Sequence, residues 1–141
     1  MKQTPKGWPR LSSSLFYDDA AAAIDWLGRA FDFQVRLKID GEEGRVTHSE
    51  LEYGEAVIMV SSVSPEKRHV SPRSVQGANT QSLFLYVDDV EAHCARARAA
   101  GAKILKEPSV SDYGEEYWAD NGYGAEDPEG HVWWFAQRVR G

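Results

Sequence analysis

The sequence predicts an α+β protein made of two tandem βαβββ modules, on three observations. A strand-like alternation that ends in paired aspartates occurs twice. Ser82-Leu83-Phe84-Leu85-Tyr86-Val87-Asp88-Asp89 echoes Ser12 through Asp19 at a constant offset of 70. A run of good helix formers follows each aspartate pair, and strand-like segments separated by glycine turns then complete each half. A chain of 141 residues suits one domain with a substantial core and is too short for two ordinary ones. Two equivalent modules, each too small to bury its own sheet face, have therefore been joined.

Residues 1–10 read as an irregular lead-in, with Trp8 anchoring it on the sheet or on a neighbouring subunit. Residues 11–17 alternate as a strand, and Asp18 or Asp19 offers a helix N-cap to the alanine run that follows. Ala23, Leu27, Ala30 and Phe31 then fall on one helical face. Strands are expected over 33–38, 46–53 and 56–60, with turns at 40–44 and 53–55. Residues 61–80 hold two prolines, no apolar periodicity and the basic cluster Lys67, Arg68, His69 and Arg73, so they read as a long mobile loop. The expected division is a first module over about 11–61, the loop over 62–80 and a second module over about 81–138.

In the second half, Val90, His93, Cys94 and Ala97 share the inner face of a helix stopped by Gly101. Strands follow at 102–106 and 122–126, with an irregular or extended connection over 107–120. The most informative stretch is Asp127-Pro128-Glu129-Gly130-His131-Val132-Trp133-Trp134-Phe135. Its proline and glycine reverse the chain. The β-branched and aromatic residues after them make a central strand, with Trp133 and Phe135 on one face and Val132 and Trp134 on the other.

Bulk properties narrow the function classes. Acidic residues outnumber basic ones 22 to 16, for a net charge of −6. That balance opposes binding to phosphate backbones and favours cationic or neutral small molecules. Lys2, Pro5, Lys6 and Pro9 stand where the apolar core of a secretory signal would lie, and no run approaches the roughly 20 apolar residues of a bilayer span. With Cys94 as the single cysteine, the expectation is a cytoplasmic protein with neither membrane nor nucleic-acid partners.

The doubled βαβββ pattern with its Asp-Pro-Glu-Gly-His turn resembles the vicinal oxygen chelate superfamily, which includes glyoxalase I, bleomycin- and fosfomycin-resistance proteins and extradiol dioxygenases. The likeness runs from about Leu11 to Arg138 and is most specific at 83–101 and 117–135. Within the superfamily it is similar to the glyoxalase/bleomycin-resistance branch and its metal-poor, PhnB-type subset. The resemblance implies an open, curled mixed β-barrel with the helices outside, and a homodimer. It also implies that Ser12, Ser14, Phe16, Ser82, Phe84, Tyr86 and Trp134 face a cavity. Metal enzymes of the superfamily carry ligands at positions that correspond here to Ser12, Ser82, Ile58 (to within one residue) and Trp134. Hydroxyls, an alkyl chain and an indole are poor donors for a divalent ion, so neither metal nor other cofactor is expected.

Two readings follow. The first is a metal-free binder of a small molecule, of the kind that sequesters a flat, often cationic aromatic drug. Its expected ligand-binding residues are Phe16, Phe84, Tyr86, Trp118, Trp134, Ser12 and Ser82, with Trp8 further out. The alternative is an enzyme, either a lyase, isomerase or dioxygenase-like protein with a relocated metal, or a metal-free catalyst. His48 and Glu50 would serve as its acid/base pair, because His48, Glu50 and Glu52 alternate onto one strand face.

Overall fold

A computed structural model describes residues 1–141, the whole chain. The elements are β1 (Ser13–Tyr17), α1 (Ala20–Phe31), β2 (Gln34–Asp40), β3 (Val46–Tyr53), β4 (Ala56–Ser62), β5 (Leu83–Tyr86), α2 (Val90–Ala99), β6 (Lys103–Asp112), β7 (Ala119–Glu126) and β8 (Val132–Arg140). They form two compact units, Met1–Ser71 and Pro72–Gly141. Each unit holds one four-stranded sheet, ordered β1-β4-β3-β2 in the first and β5-β8-β7-β6 in the second. In each sheet the first strand pairs parallel with the last and the remaining pairs are antiparallel. The fold is thus α+β with mixed sheets, as the repeat predicts.

Both helices start where the paired aspartates place them. Asp19 accepts the Ala22 N–H at 3.1 Å and Asp89 accepts the Ala92 N–H at 3.0 Å, each satisfying a donor that the first helical turn leaves over. α1 ends at Asp32, which adopts the left-handed conformation (φ 66°) and returns its N–H to the Leu27 carbonyl. α2 is followed by Gly101 at φ +94°, a conformation that costs glycine nothing.

Each helix covers one face of its own sheet. Leu27, Ala30 and Phe31 of α1 are fully buried, and Leu15, Tyr17, Leu51 and Val60 of the sheet are buried with them. In the second unit Val90, Cys94 and Ala97 of α2 are buried, as are Tyr123, Trp133 and Phe135. His93 joins this core with Nδ1 2.6 Å from the Tyr123 hydroxyl, so it is a core histidine satisfied at the helix–sheet interface.

The Asp127 turn is held by more than its proline and glycine. One oxygen of the buried Asp127 carboxylate accepts the N–H groups of Glu129 (3.0 Å) and His131 (3.1 Å), and the other accepts the indole N–H of Trp133 (3.1 Å). The strand after it, β8, is internal, lying between β5 and β7.

Three expectations change. The connection expected over 107–120 is mostly strand, since β6 runs on to Asp112 and β7 begins at Ala119. The stretch 61–80 is partly ordered. Ser61 and Ser62 extend β4, two short 3₁₀ turns follow at Pro65–Lys67 and Pro72–Val75, and Ser64 bridges His69. Ile58 lies on the helix side, buried and in register with Leu51 and Ser13. The residue on the opposite face, equivalent to Trp134, is Met59, which aligns with Ser14 as Trp134 aligns with Phe84. No helix of the chain is long and apolar enough to cross a membrane.

Candidate functional site

The face of the second sheet turned away from α2 carries most of the expected binding residues. Alternation puts Phe84 and Tyr86 of β5 on that face, with Trp134, Ala136 and Arg138 of β8 and Asp120, Gly122 and Gly124 of β7. Register aligns Phe84 with Trp134 and Gly124, Tyr86 with Ala136 and Gly122, and Arg138 with Asp120. The Phe84 and Tyr86 rings meet edge to face at 5.2 Å. They stay 59% and 46% exposed, far from the burial that aromatic residues in a sheet normally reach. Trp134 lies against Gly124, where a Cβ atom would fall 2.3 Å from the indole Cζ3. The glycine is what allows the indole to lie there.

At the far end of this face is a polar group that the sequence reading missed. Arg138 Nε donates to Asp120 Oδ1 at 2.7 Å, the Tyr86 hydroxyl donates to Asp120 Oδ2 at 3.0 Å, and Arg138 Nη2 donates to the Tyr86 oxygen. The guanidinium sits 5.0 Å from the Trp118 ring and 5.2 Å from the Tyr86 ring. Trp118, just before β7, therefore joins Tyr86 through a shared arginine, and Tyr86 in turn meets Phe84. Asp120, first of all, and then Tyr86 hold the Arg138 proton more firmly than an ordinary guanidinium would. Continued period-two alternation from Trp134 through Ala136 would have found Arg138.

Apart from Ser82, the other expected residues lie in the first unit. Phe16 stacks on His69, with ring centroids 4.1 Å apart and planes 11° from parallel. The Ser12 hydroxyl donates to the Val57 carbonyl at 2.5 Å, while Ser82 of the second unit is exposed just ahead of β5. His48 and Glu50 do meet, with Nε2 of the histidine 2.9 Å from Glu50 Oε2. Arg36, at an irregularity in β2, donates to the second Glu50 oxygen at 3.0 Å. The same arginine also binds the Gly7 carbonyl at 2.6 Å and lies 4.5 Å from the Trp8 ring. It therefore clips the lead-in segment to the sheet. A cleft of about 630 Å³ lies beside that segment, lined by Lys6, Trp8, Arg36, Glu52 and Val57 among others. None of its lining residues belongs to the exposed aromatic face.

These contacts favour the ionised form of Glu50. The hydrogen bond from His48, and then that from Arg36, hold its carboxyl below the usual 4.5 in spite of partial desolvation. A carboxylate so engaged is a weak base for substrate protons. A depressed folded-state pKa stabilises the fold above the unfolded value and ceases to do so as pH falls through the folded value. Glu50→Gln should accordingly lower the urea midpoint at neutral pH, and the gap from the unaltered protein should close at pH values well below 4.5. A gap that stays constant across that range would contradict the assignment.

The positions that the resemblance gives to metal ligands hold Ser12, Ser82, Trp134 and, once the register is set, Met59 in place of Ile58. Hydroxyls, a thioether and an indole do not match the nitrogen, thiolate and carboxylate donors that divalent ions select. Nor is any group of three or more His, Cys, Asp or Glu side chains placed to hold a metal ion elsewhere. The residues present do not fit the superfamily's metal.

Comparison with known proteins agrees with this architecture. A family model described as Glyoxalase/Bleomycin resistance protein/Dioxygenase superfamily matches residues 11–135. The uncharacterized protein Mb0911c of Mycobacterium bovis is 33% identical over 135 residues, covering 94% of this chain and 85% of that protein. The crystal structure of TioX from Micromonospora sp. ML1 is 30% identical with a TM-score of 0.70, over 93% of this chain and 99% of TioX. TnmS3, described as an antibiotic binding protein from Streptomyces sp. CB03234, shares the fold at a TM-score of 0.63 and 20% identity, over 91% of this chain and 93% of its own. Matched from ahead of β1 to within β8, the chain belongs to the Glyoxalase/Bleomycin resistance protein/Dioxygenase superfamily.

Proposed function

We propose that this protein binds a small planar molecule by stacking and does not transform it, using no metal or other cofactor. The observation that carries the reading is the second sheet's open face. There Phe84 and Tyr86 remain largely exposed beside Trp134 and Trp118, over a floor of Gly122, Gly124 and Ala136. Exposed aromatic area of this kind marks a surface that another molecule covers. The description of TnmS3 as antibiotic-binding supports the reading by likeness of fold. Phe16 on the first sheet, together with Ser12 and Ser82, extends the proposal to the other residues read from the sequence. Homodimerisation through exposed apolar faces and a cytoplasmic location, consistent with a lone buried thiol, belong to the same proposal.

The enzyme alternative would use His48 and Glu50. Glu50 is already tied to His48 and Arg36, which weighs against it as a base.

The test is a titration with a panel of planar aromatic compounds, cationic, neutral and anionic, followed by tryptophan fluorescence. Saturable quenching that Phe84→Ala combined with Trp134→Leu weakens by about tenfold or more is expected, since each stacked ring contributes roughly 1 kcal/mol. Silence across the panel, or stoichiometric metal accompanied by turnover of a panel compound, would overturn the proposal.

A further inference from the structure

The stacking face is not chemically uniform, and its polar end specifies which ligands it suits. This inference rests on the stacking proposal and concerns the ligand's charged edge. The Asp120 carboxylate has both oxygens engaged, one by Arg138 Nε and one by the Tyr86 hydroxyl. It is also only 10% exposed in its side chain, so it is neither free nor positioned to receive a cation from solution. Arg138 is in the opposite condition. Its side chain is 37% exposed, and of its five N–H groups only those on Nε and one on Nη2 have protein acceptors. Both N–H groups of Nη1 and the second of Nη2 are left to donate, and one from each nitrogen lines the outer edge of the planar fork. The Trp118 and Tyr86 rings near the guanidinium, and its bond to Asp120, fix the direction of that edge before any ligand arrives.

The same face therefore offers flat rings at the Phe84 and Trp134 end and a preoriented pair of donors at the other. Tyr86 belongs to both ends, through its ring and its hydroxyl. We infer that the ligand is a planar aromatic oxyanion, an aromatic carboxylate or phenolate, whose ring stacks on Phe84, Tyr86 and Trp134 while its oxygens accept from the outer edge of the Arg138 fork. The acidic net charge of the whole chain acts at long range and is screened by salt, whereas a charge-assisted, two-point contact with an arginine acts at contact distance. Local chemistry thus selects an anion although the overall charge favours a cation.

The test compares three ligands with the same ring system: 2-naphthoate, its neutral carboxamide, and the corresponding naphthylmethylammonium. Dissociation constants are read by tryptophan fluorescence on the 141-residue chain. The unaltered protein should bind the carboxylate about tenfold or more tightly than the amide, and bind the ammonium most weakly. Arg138→Met should abolish the preference for the carboxylate over the amide. Arg138→Lys, which keeps the charge and loses the fork, should retain only part of the preference. The three-ligand comparison on the unaltered protein needs no variant, so a poorly folding Arg138→Met does not blunt the test. Equal binding of all three ligands, or tightest binding of the ammonium, would sink the oxyanion assignment and leave stacking intact. No binding of any of them would sink both.

Discussion

Replacing Trp133 with alanine is expected to lower the free energy of unfolding by about 3–5 kcal/mol, the range for emptying a large buried aromatic site. Trp133 is 1% exposed and its indole is nearly parallel to the Phe135 ring (3° between planes, centroids 6.1 Å apart). It also acts on the turn before it, because the indole N–H reaches back to Asp127, whose other oxygen gathers the N–H groups of Glu129 and His131. The alanine variant thus opens a cavity and withdraws a donor from a buried carboxylate in one step. Trp133→Phe separates the two effects. It keeps most of the ring and loses the hydrogen bond, for an expected cost of about 1.5–3 kcal/mol. Urea unfolding followed by circular dichroism measures both variants. A Trp133→Ala midpoint no lower than that of a surface substitution would contradict this account of the turn.

The second large effect is expected at Gly124, where the smallest possible addition suffices. An alanine Cβ there would meet Trp134 at 2.3 Å from Cζ3, 2.6 Å from Cε3 and 2.8 Å from Cη2, well inside the roughly 3.5 Å at which carbon atoms rest. Either the indole swings out of its place or the β7–β8 pair spreads. Overpacking of this kind costs about 1–3 kcal/mol. Because Trp134 also belongs to the proposed stacking surface, Gly124→Ala should shift the tryptophan emission and reduce affinity for planar ligands by about tenfold. If stability, emission and binding all match the unaltered protein, the indole does not occupy the position described.

What the sequence disclosed, and what it hid, follows from which interactions are local. The helix caps were readable because Asp19 and Asp89 bond to N–H groups three residues away. The first half's 46–53 strand was readable because glycine turns bracket a clean alternation, and its bounds match β3. The second half of β6 was not. It is an exposed edge segment containing Pro108, and its pairing with β7 slips between Lys106 and Ser109, so it keeps no period-two pattern. The stretch over 61–80 has no periodicity because its order comes from short turns and the Ser64–His69 bridge, which leave no apolar signature.

The site divides in the same way. The facing of Phe84, Tyr86 and Trp134 followed from alternation once the resemblance had set which side the helices cover, since one strand position then fixes all the others. Placing Ile58 needed the register, and an error of one residue turns a side chain to the wrong side of the sheet. That is why Met59 occupies the position first given to Ile58. Asp120 and Arg138 are 18 residues apart and meet only through the β7–β8 pairing, next to an irregularity between Ala119 and Asp120. No spacing rule on a single chain reveals such a pair. The meeting of His48 with Glu50 was visible within one strand. The engagement of Glu50 by Arg36 was not, because Arg36 reaches it from the neighbouring strand.

Duplication gives this chain an unusual freedom to specialise. Both halves keep the same buried skeleton of capped helix on four strands, yet the outward chemistry has gone separate ways. One copy displays a histidine, carboxylates and an arginine, while the other displays rings around a pinned guanidinium. A lineage built on this plan can change the chemistry it displays by altering a handful of side chains in one copy, while the backbone pattern of both remains as it was.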